Sequence, residues 1–475
     1  MNQLRHVSKG ILIAFFSVAL ATTYWSALRG PSLLERPDNP RAILVEREIN
    51  RGRILDTNGF LLAETTTTYD GEALRRLYPY PEAAPATGYY SLRYGTAGIE
   101  ATYDSVLSGE LGPSPFEVWQ RDLRHDPIIG GDVQLTLDLL VQRATTEAIT
   151  PYNGAAIVVT IPDGAVRAIA SLPSFNPNTL EQDWARLVQS QDAPLLNRIT
   201  QGVYQPGAAL QTVLMAHLLS QRVSTDQIFA AGTEPISVNS LILTCGQLPR
   251  RESLTLPEAY IYACPQPFTQ LLGTLTPESL DAAFWKYGLL TPPELRGLNT
   301  DIADSPLPLA LQSDDTEALI AGITGQSNLA VSPLQMMMLL SAIANDGNAP
   351  LLHIVQNIRL AGSESWEVVP LVGLSRALLT AENAALLRDL MTLSAEEGVA
   401  APARTVSEYP IIGHAGTAFT GLDAHPLQWF LGMIRSDSGE AVAVVVVLEG
   451  APDSAAAATA GGRMLDTAAR LYLPE

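Results

Sequence analysis

Cys245 and Cys264 are the two cysteines of this sequence. A cysteine thiolate can attack a carbonyl or bind a soft metal, whereas an even count outside the cytoplasm suits a disulfide. One Cys245–Cys264 bridge is therefore expected, with two buried free thiols as the other reading. No grouping of cysteine, histidine and carboxylate has metal-ligand spacing, so neither a metal nor a cofactor is expected. Charge bounds the partners further. Twenty-nine lysines and arginines stand against 49 acidic residues, a formal net charge of -20. No long acidic run carries it, so the charge is spread over a solvated surface. Such a surface repels a phosphate backbone, which excludes nucleic acid as a partner.

Apolar residues make up 47% of the 475 and charged ones 16%, the balance of a folded chain too long for one ordinary core. Arg5 and Lys9 precede an uncharged stretch from Ile11 to Leu28, long enough for a helix of roughly 27 Å that spans a bilayer. The basic flank puts the N-terminus in the cytoplasm and the bulk of the chain outside, in a single pass through the plasma membrane. Ala19-Leu20-Ala21 would serve as a signal-peptide cleavage site. An uncleaved anchor is preferred, because the apolar run continues through Tyr24 and Trp25.

Residues 29–50 read as a juxtamembrane linker. Arg51 to Ala63 holds two apolar runs around an Asp/Asn/Gly turn, a hairpin signal. Residues 71–130 look irregular. From Asp132 the pattern changes. Val133, Leu135 and Leu137 alternate with polar residues, and Asp138 can cap a helix through about Ile149. Ala155–Ile161 and Ala165–Ala170 flank the turn Pro162-Asp163-Gly164 as a strand pair. A helical region follows from about Gln201 to Asn345, broken by a loop near 300–316. Strands return at Trp429–Ile434 and Ala441–Leu448, and a helix closes the chain over 455–473. This order describes an α+β protein. The expected division is 1–28 for the anchor, 29–130 for the linker and a small β-rich domain, and 131–475 for the large α+β domain.

Several of these segments, in this order, resemble a class B penicillin-binding protein. Arg51-Gly52-Arg53-Ile54 with Asp56, Asn58 and Gly59 resembles the family's opening motif. Tyr78-Pro79, Gly95 to Glu100 and Tyr103-Asp104 resemble its N-terminal non-catalytic domain. Leu135-Thr136-Leu137-Asp138 with Gln142 resembles the entry to the transpeptidase domain, and Ile161 to Ala165 with Ser171 to Asn178 its first two strands. Gly325-Gln326 with Pro333-Leu334-Gln335 resembles a helix behind the active site. The resemblance runs from about residue 45 to the end. It implies a serine β-lactamase-like fold, an antiparallel sheet with helices.

Enzymes of this family acylate a serine in S-x-x-K, line the other wall with S-x-N, and recognise the substrate carboxylate with K-T-G on a strand edge. In this sequence Pro206-Gly207 opens the corresponding helix, but the nucleophile position is Ala208 and the base position Gln211. Alanine has no attacking atom, and an amide takes up no proton near pH 7. The second motif falls on Ala263-Cys264-Pro265. The third falls on His414-Ala415-Gly416, followed by Thr417. His414 could serve as a cleft base, since imidazole titrates near neutrality. The plainer reading is a partly exposed strand histidine. If a ligand groove survives, the resemblance lines it with His414, Gly416 and Thr417. Thr212 points about 100° away from Gln211 on the helix and is no substitute nucleophile. A membrane-anchored pseudo-transpeptidase follows, a scaffold or regulator of peptidoglycan synthesis, cell-wall organisation or division. A polytopic membrane glycosyltransferase is the partner implied by the resemblance. The alternatives are a receptor for peptidoglycan fragments or another envelope ligand, and an active transpeptidase with non-standard catalytic residues.

Overall fold

The structure, a computed structural model, describes residues 2–25, 46, 48–67, 74–300, 315–327, 329–373, 375–420 and 425–474. The expected linker before residue 46 and most of the loop near 300–316 lie outside the described residues. Helix α1, Asn2–Thr23, is the one helix among the described residues long and apolar enough to cross a membrane.

The chain enters the folded body through β1 (Ile54–Leu55) and β2 (Leu61–Thr67), an antiparallel pair, followed by β3 (Leu74–Leu77). The Asp/Asn/Gly turn has a mechanical cause. Asp56 Oδ1 accepts from the Asn58 and Phe60 amides, each at 2.8 Å, closing the turn. Its Oδ2 accepts from the Leu139 amide at 3.2 Å, which fixes the hairpin to the next domain's first helix. The region 71–130, expected to be irregular, holds several short helices and strands, including α2 (Pro115–Arg124). Their anchor is Glu100, fully buried. Its carboxylate accepts from Arg51 Nε at 2.9 Å, Arg76 Nε at 2.7 Å and the Tyr78 hydroxyl at 3.1 Å. Arg51 Nη2 also pairs with Asp104 at 2.6 Å. Burial opposes the charge on Arg51, but Glu100 and Asp104 hold its pKa above the usual arginine value.

β4 (Asp132–Leu135) runs parallel to β1, and α3 (Leu139–Ile149) starts on Asp138, whose side chain accepts from the Leu140 and Val141 amides. Then come β5 (Asn153–Ile161), β6 (Val166–Leu172), α4 (Leu210–Ser220), the small hairpin β7 (Ile236–Val238) and β8 (Leu241–Leu243), and α5 (Leu256–Ile261). α6 (Pro333–Ala344) begins with a capping box between Ser332 and Gln335. After it lie β9 (Val355–Arg359), β10 (Glu367–Val368), α7 (Ala381–Glu397), β11 (Ile412–Thr420), β12 (His425–Arg435), β13 (Ala441–Glu449) and α8 (Ser454–Tyr472).

Five of these strands form an antiparallel sheet in the order β11-β12-β13-β5-β6. The unbroken apolar run of β13 follows from its central place, since both faces are covered. Val444 and Val446 face the cluster that holds Met464 of α8. Val445 and Val447 face the opposite cluster, with Leu339 of α6. A second sheet, β10-β9-β4-β1-β2-β3, joins both halves of the chain. The division expected at residue 130 therefore does not separate two sheets. β9 and β10 return from beyond residue 350 to pair beside β4, and Asp132 binds both Arg53 and Arg359.

Candidate functional site

Three separate stretches of chain meet in one groove of about 310 Å³, whose lining includes Ala208, Gln211, Ala263, Pro265, Phe268 and Thr417. The first comes from the turn of 3₁₀ helix Gly207–Ala209 that leads into α4. The second is the bend after α5, where Ala263 adopts φ +51° and reverses the chain. The third is the edge strand β11.

Two glycines permit this convergence. A side chain on Gly416 would stand 2.5 Å from the Ala209 nitrogen and 2.7 Å from the Ala208 carbonyl carbon. A Cβ on Gly207, at φ +51°, would meet the Thr417 carbonyl oxygen at 2.3 Å. Helix start and strand edge thus touch backbone to backbone, a spacing only glycine allows. Packing accounts for a glycine at both positions.

The polar interior of the groove is poor. Gln211 is 4% exposed, and its amide nitrogen donates to the Cys264 carbonyl at 3.4 Å. Its Oε1 has no partner among the described residues. Thr417 donates to Gln428 Oε1 at 2.7 Å. Neither lysine, arginine nor histidine lines the groove, and Asp453 is its one carboxylate among the described residues. No described group of histidine, cysteine and carboxylates could hold a metal.

His414 requires a correction. It is neither partly exposed nor part of the groove lining: it is fully buried, its ring stacked on Tyr260 at 4.1 Å between centroids and 13° between planes. Tyr260 in turn shares a hydrogen bond with Thr212 at 3.1 Å. Neither ring nitrogen of His414 has a partner of acceptable geometry among the described residues. Burial drives its pKa down to about 3, with the Ala208 backbone opposing weakly. The partly exposed strand histidine expected from the sequence is therefore a buried, neutral aromatic spacer, and the cleft base weighed beside it does not reach the groove. Gly416 likewise contributes backbone and does not line the groove, and Ala415 is buried in the core. Of the expected ligand residues, Thr417 alone faces the groove.

Cys264 is bonded to Cys245, with Cα atoms 3.9 Å apart across a sequence separation of 19. The bond ties the end of the β7–β8 hairpin to the second-motif bend, so Ile242 and Leu243 form one wall of the groove. A thiol nucleophile is thereby removed. The hairpin wall and the Tyr260–His414 stack had no local signal in the sequence, because the stacked rings are contributed by elements more than 150 positions apart.

Comparison with known proteins agrees with this geometry. Residues 154–466 match the penicillin-binding protein transpeptidase domain, and residues 51–133 match the penicillin-binding protein A dimerisation domain. The peptidoglycan D,D-transpeptidase PbpA of Mycobacterium tuberculosis is 29% identical over 483 residues, covering 95% of this chain and 94% of that protein. PbpA of Mycolicibacterium smegmatis is 28% identical, covering 94% of each. Among solved structures, the imipenem acyl-enzyme complex of M. tuberculosis penicillin-binding protein A superposes with a TM-score of 0.77 at 26% identity, covering 89% of this chain and 99% of that one. On sequence and fold together, the chain belongs to the penicillin-binding protein transpeptidase family.

Proposed function

We propose that this protein is a membrane-anchored pseudo-transpeptidase: a non-acylating member of its family that serves peptidoglycan synthesis, cell-wall organisation or division as a scaffold or regulator. One observation carries the reading. The groove that would hold an acyl-enzyme has Ala208 and Gln211 where the family resemblance places a nucleophile and its base, and the hydroxyls of its described lining, Thr244, Thr324, Thr417 and Ser454, have no lysine or histidine beside them in that lining. Cys264 is in a disulfide. Thr212 is turned into the core against Tyr260. Thr417 faces the groove, but its hydroxyl proton goes to a glutamine amide, which is no base. Loss of the serine in comparable enzymes lowers kcat by about 10⁶. The relatives are named as peptidoglycan D,D-transpeptidases, which supports a place in peptidoglycan synthesis; the residues at 208 and 211 support a departure from their chemistry.

On this reading α1 crosses the plasma membrane once, and the bulk of the chain lies outside the cytoplasm. The partner would be a polytopic membrane glycosyltransferase of cell-wall synthesis, met through the anchor and the small domain around Glu100. A fluorescent penicillin tests the chemistry. No labelled band should survive denaturation of the wild-type protein. A surviving band that disappears on substituting a groove residue would reinstate an active enzyme with non-standard residues. Complementation tests the role: substitutions at Ala208, Gln211 and His414 should leave the phenotype intact, while deletion of residues 45–130 should abolish it.

A receptor for peptidoglycan fragments is the second reading. The unpaired, buried Oε1 of Gln211 favours it, since a ligand donor would satisfy that atom. The lack of a cation among the described lining residues weighs against recognition of a carboxylate-terminated peptide. A thermal-shift panel of peptidoglycan fragments, with Gln211→Leu as the control, separates the two readings.

A further inference from the structure

Helix α2, Pro115–Arg124, turns its apolar stripe outward. Phe116, Trp119 and Leu123 recur at spacings of three and four and so share one face. In a water-soluble domain that face is expected to meet the core. Here the three are 65%, 58% and 66% exposed, while Val118 and Arg121 on the opposite side are part-buried. The Phe116 and Trp119 rings lie 5.9 Å apart, so the patch is continuous. Leu111 and Ile129, which flank the helix in the chain, are exposed as well. Large apolar patches kept in contact with water mark a surface that is covered in the working assembly.

Two further observations identify the cover. The segment that follows α2 is hydrogen-bonded to the point where the tether from the membrane helix arrives. The Asn50 amide donates to the Ile128 carbonyl at 2.8 Å, and the Gly130 amide donates to the Asn50 carbonyl at 2.9 Å. α2 thus belongs to the corner of the body joined, through residues 24–49, to α1. The composition of α2 is also that of a helix lying in a lipid–water interface. Tryptophan, phenylalanine and leucine occupy one side, Glu117, Gln120, Arg121 and Arg124 fall elsewhere around the helix, and overall hydrophobicity is low. Ten residues, roughly 15 Å, are too few to cross a bilayer and enough to lie on one.

We propose that α2 is a second membrane contact: Phe116, Trp119 and Leu123 sit among the headgroups and upper acyl chains of the bilayer that α1 crosses. The inference rests on the reading of α1 as a membrane anchor. Its consequence is orientational. α1 alone sets no facing for the body, whereas α1 plus a lying helix fixes the height and facing of the groove above the bilayer.

The test uses the full chain reconstituted in phosphatidylcholine–phosphatidylglycerol vesicles. The native cysteines are bonded to each other, so a fluorophore added without reductant reacts at an introduced thiol. Trp119→Cys carries the label, and Leu386→Cys, 44% exposed on α7, is the reference. At position 119 we expect a blue-shifted emission that nitroxide-bearing lipid quenches and aqueous iodide does not; at 386 the reverse. An unlabelled readout guards against disturbance by the probe: brominated lipid should quench less of the total tryptophan emission in Trp119→Phe than in the wild type. Iodide access at 119 with no quenching by lipid, in vesicles from which alkaline carbonate fails to strip the protein, would overturn the proposal while leaving the anchor intact. Stripping by carbonate would overturn the anchor reading and the proposal together. Protection at 119 that depends on protein density, again without lipid quenching, would assign the patch to a second copy of the chain instead.

Discussion

Around Glu100, two guanidiniums, a phenol and a carboxylate satisfy one another, and Arg76 Nη2 is the one nitrogen of that cluster without a partner among the described residues. Around Ala208 the balance is reversed. Gln211 Oε1 and both ring nitrogens of His414 are buried without partners, and no ion pair crosses the groove among its described lining residues. Only the first has a charged centre whose members pair with one another. The difference lies in what each cluster does for the fold. A buried carboxylate shared by two arginines cannot lose one member without stranding a charge. The groove holds no such ion pair among its described lining residues, and the backbone contacts at Gly207 and Gly416 keep its walls in place.

The sharpest way to break this comparison is to remove Glu100. Glu100→Ala leaves Arg51 and Arg76 buried without their shared counter-charge and should destabilise the chain by about 3–5 kcal/mol in urea unfolding. A cost near that of an ordinary surface change would show that the cluster is not the structural counterpart of the groove. Next in size is the bond beside the second motif. Cys245→Ser with Cys264→Ser should cost about 3 kcal/mol for a loop of this length. The groove wall formed by β8 should loosen with it, read as faster proteolysis at the hairpin.

Acid sharpens the comparison at His414. Its folded pKa is about 3 against an ordinary 6.5, so below pH 6.5 the unfolded chain takes up a proton that the folded chain refuses. Stability is complete above pH 6.5 and is lost as pH falls toward 3, with a slope approaching ~1.4 kcal/mol per pH unit for this one site. His217 and His353 are also lowered, so the site is isolated by comparison with His414→Phe. The substituted protein should gain on the wild type by about 2 kcal/mol at pH 5. A parallel pair of stability–pH curves would refute the burial of a neutral imidazole. The smallest effect is expected for the same substitution at pH 8. Exchanging an unpaired buried imidazole for phenyl against Tyr260 should change stability by less than about 1 kcal/mol, in either direction.

Much of the architecture was legible in the sequence because its signals are local. Asp138 before an amphipathic run, the Pro162-Asp163-Gly164 turn and the apolar run Ala441–Leu448 each appear in the structure as the element their pattern implies. The region after residue 71 was not legible as structure. Its elements are short and are held by Glu100, whose partners come from Arg51, Arg76 and Tyr78. At the groove, the order of the motifs indicated which positions would meet. The facing of each side chain was not accessible in that way. His414 and Thr417 differ by three places on one strand, so they project to opposite faces, and burial distinguishes them only once α5 is packed beside β11.

The sequence by itself determined that positions 208, 211 and 265 carry an alanine, a glutamine and a proline, side chains without a hydroxyl or an amine. It also determined an apolar N-terminal segment of membrane-spanning length and the presence of two cysteines. Tertiary structure alone decided that those cysteines are bonded, that His414 stacks on Tyr260 as a neutral ring, and that Phe116, Trp119 and Leu123 face outward. The physical reason is that composition fixes which chemical groups exist. Burial, pairing and pKa belong to the environment of each group, and that environment is assembled from residues far apart in the chain.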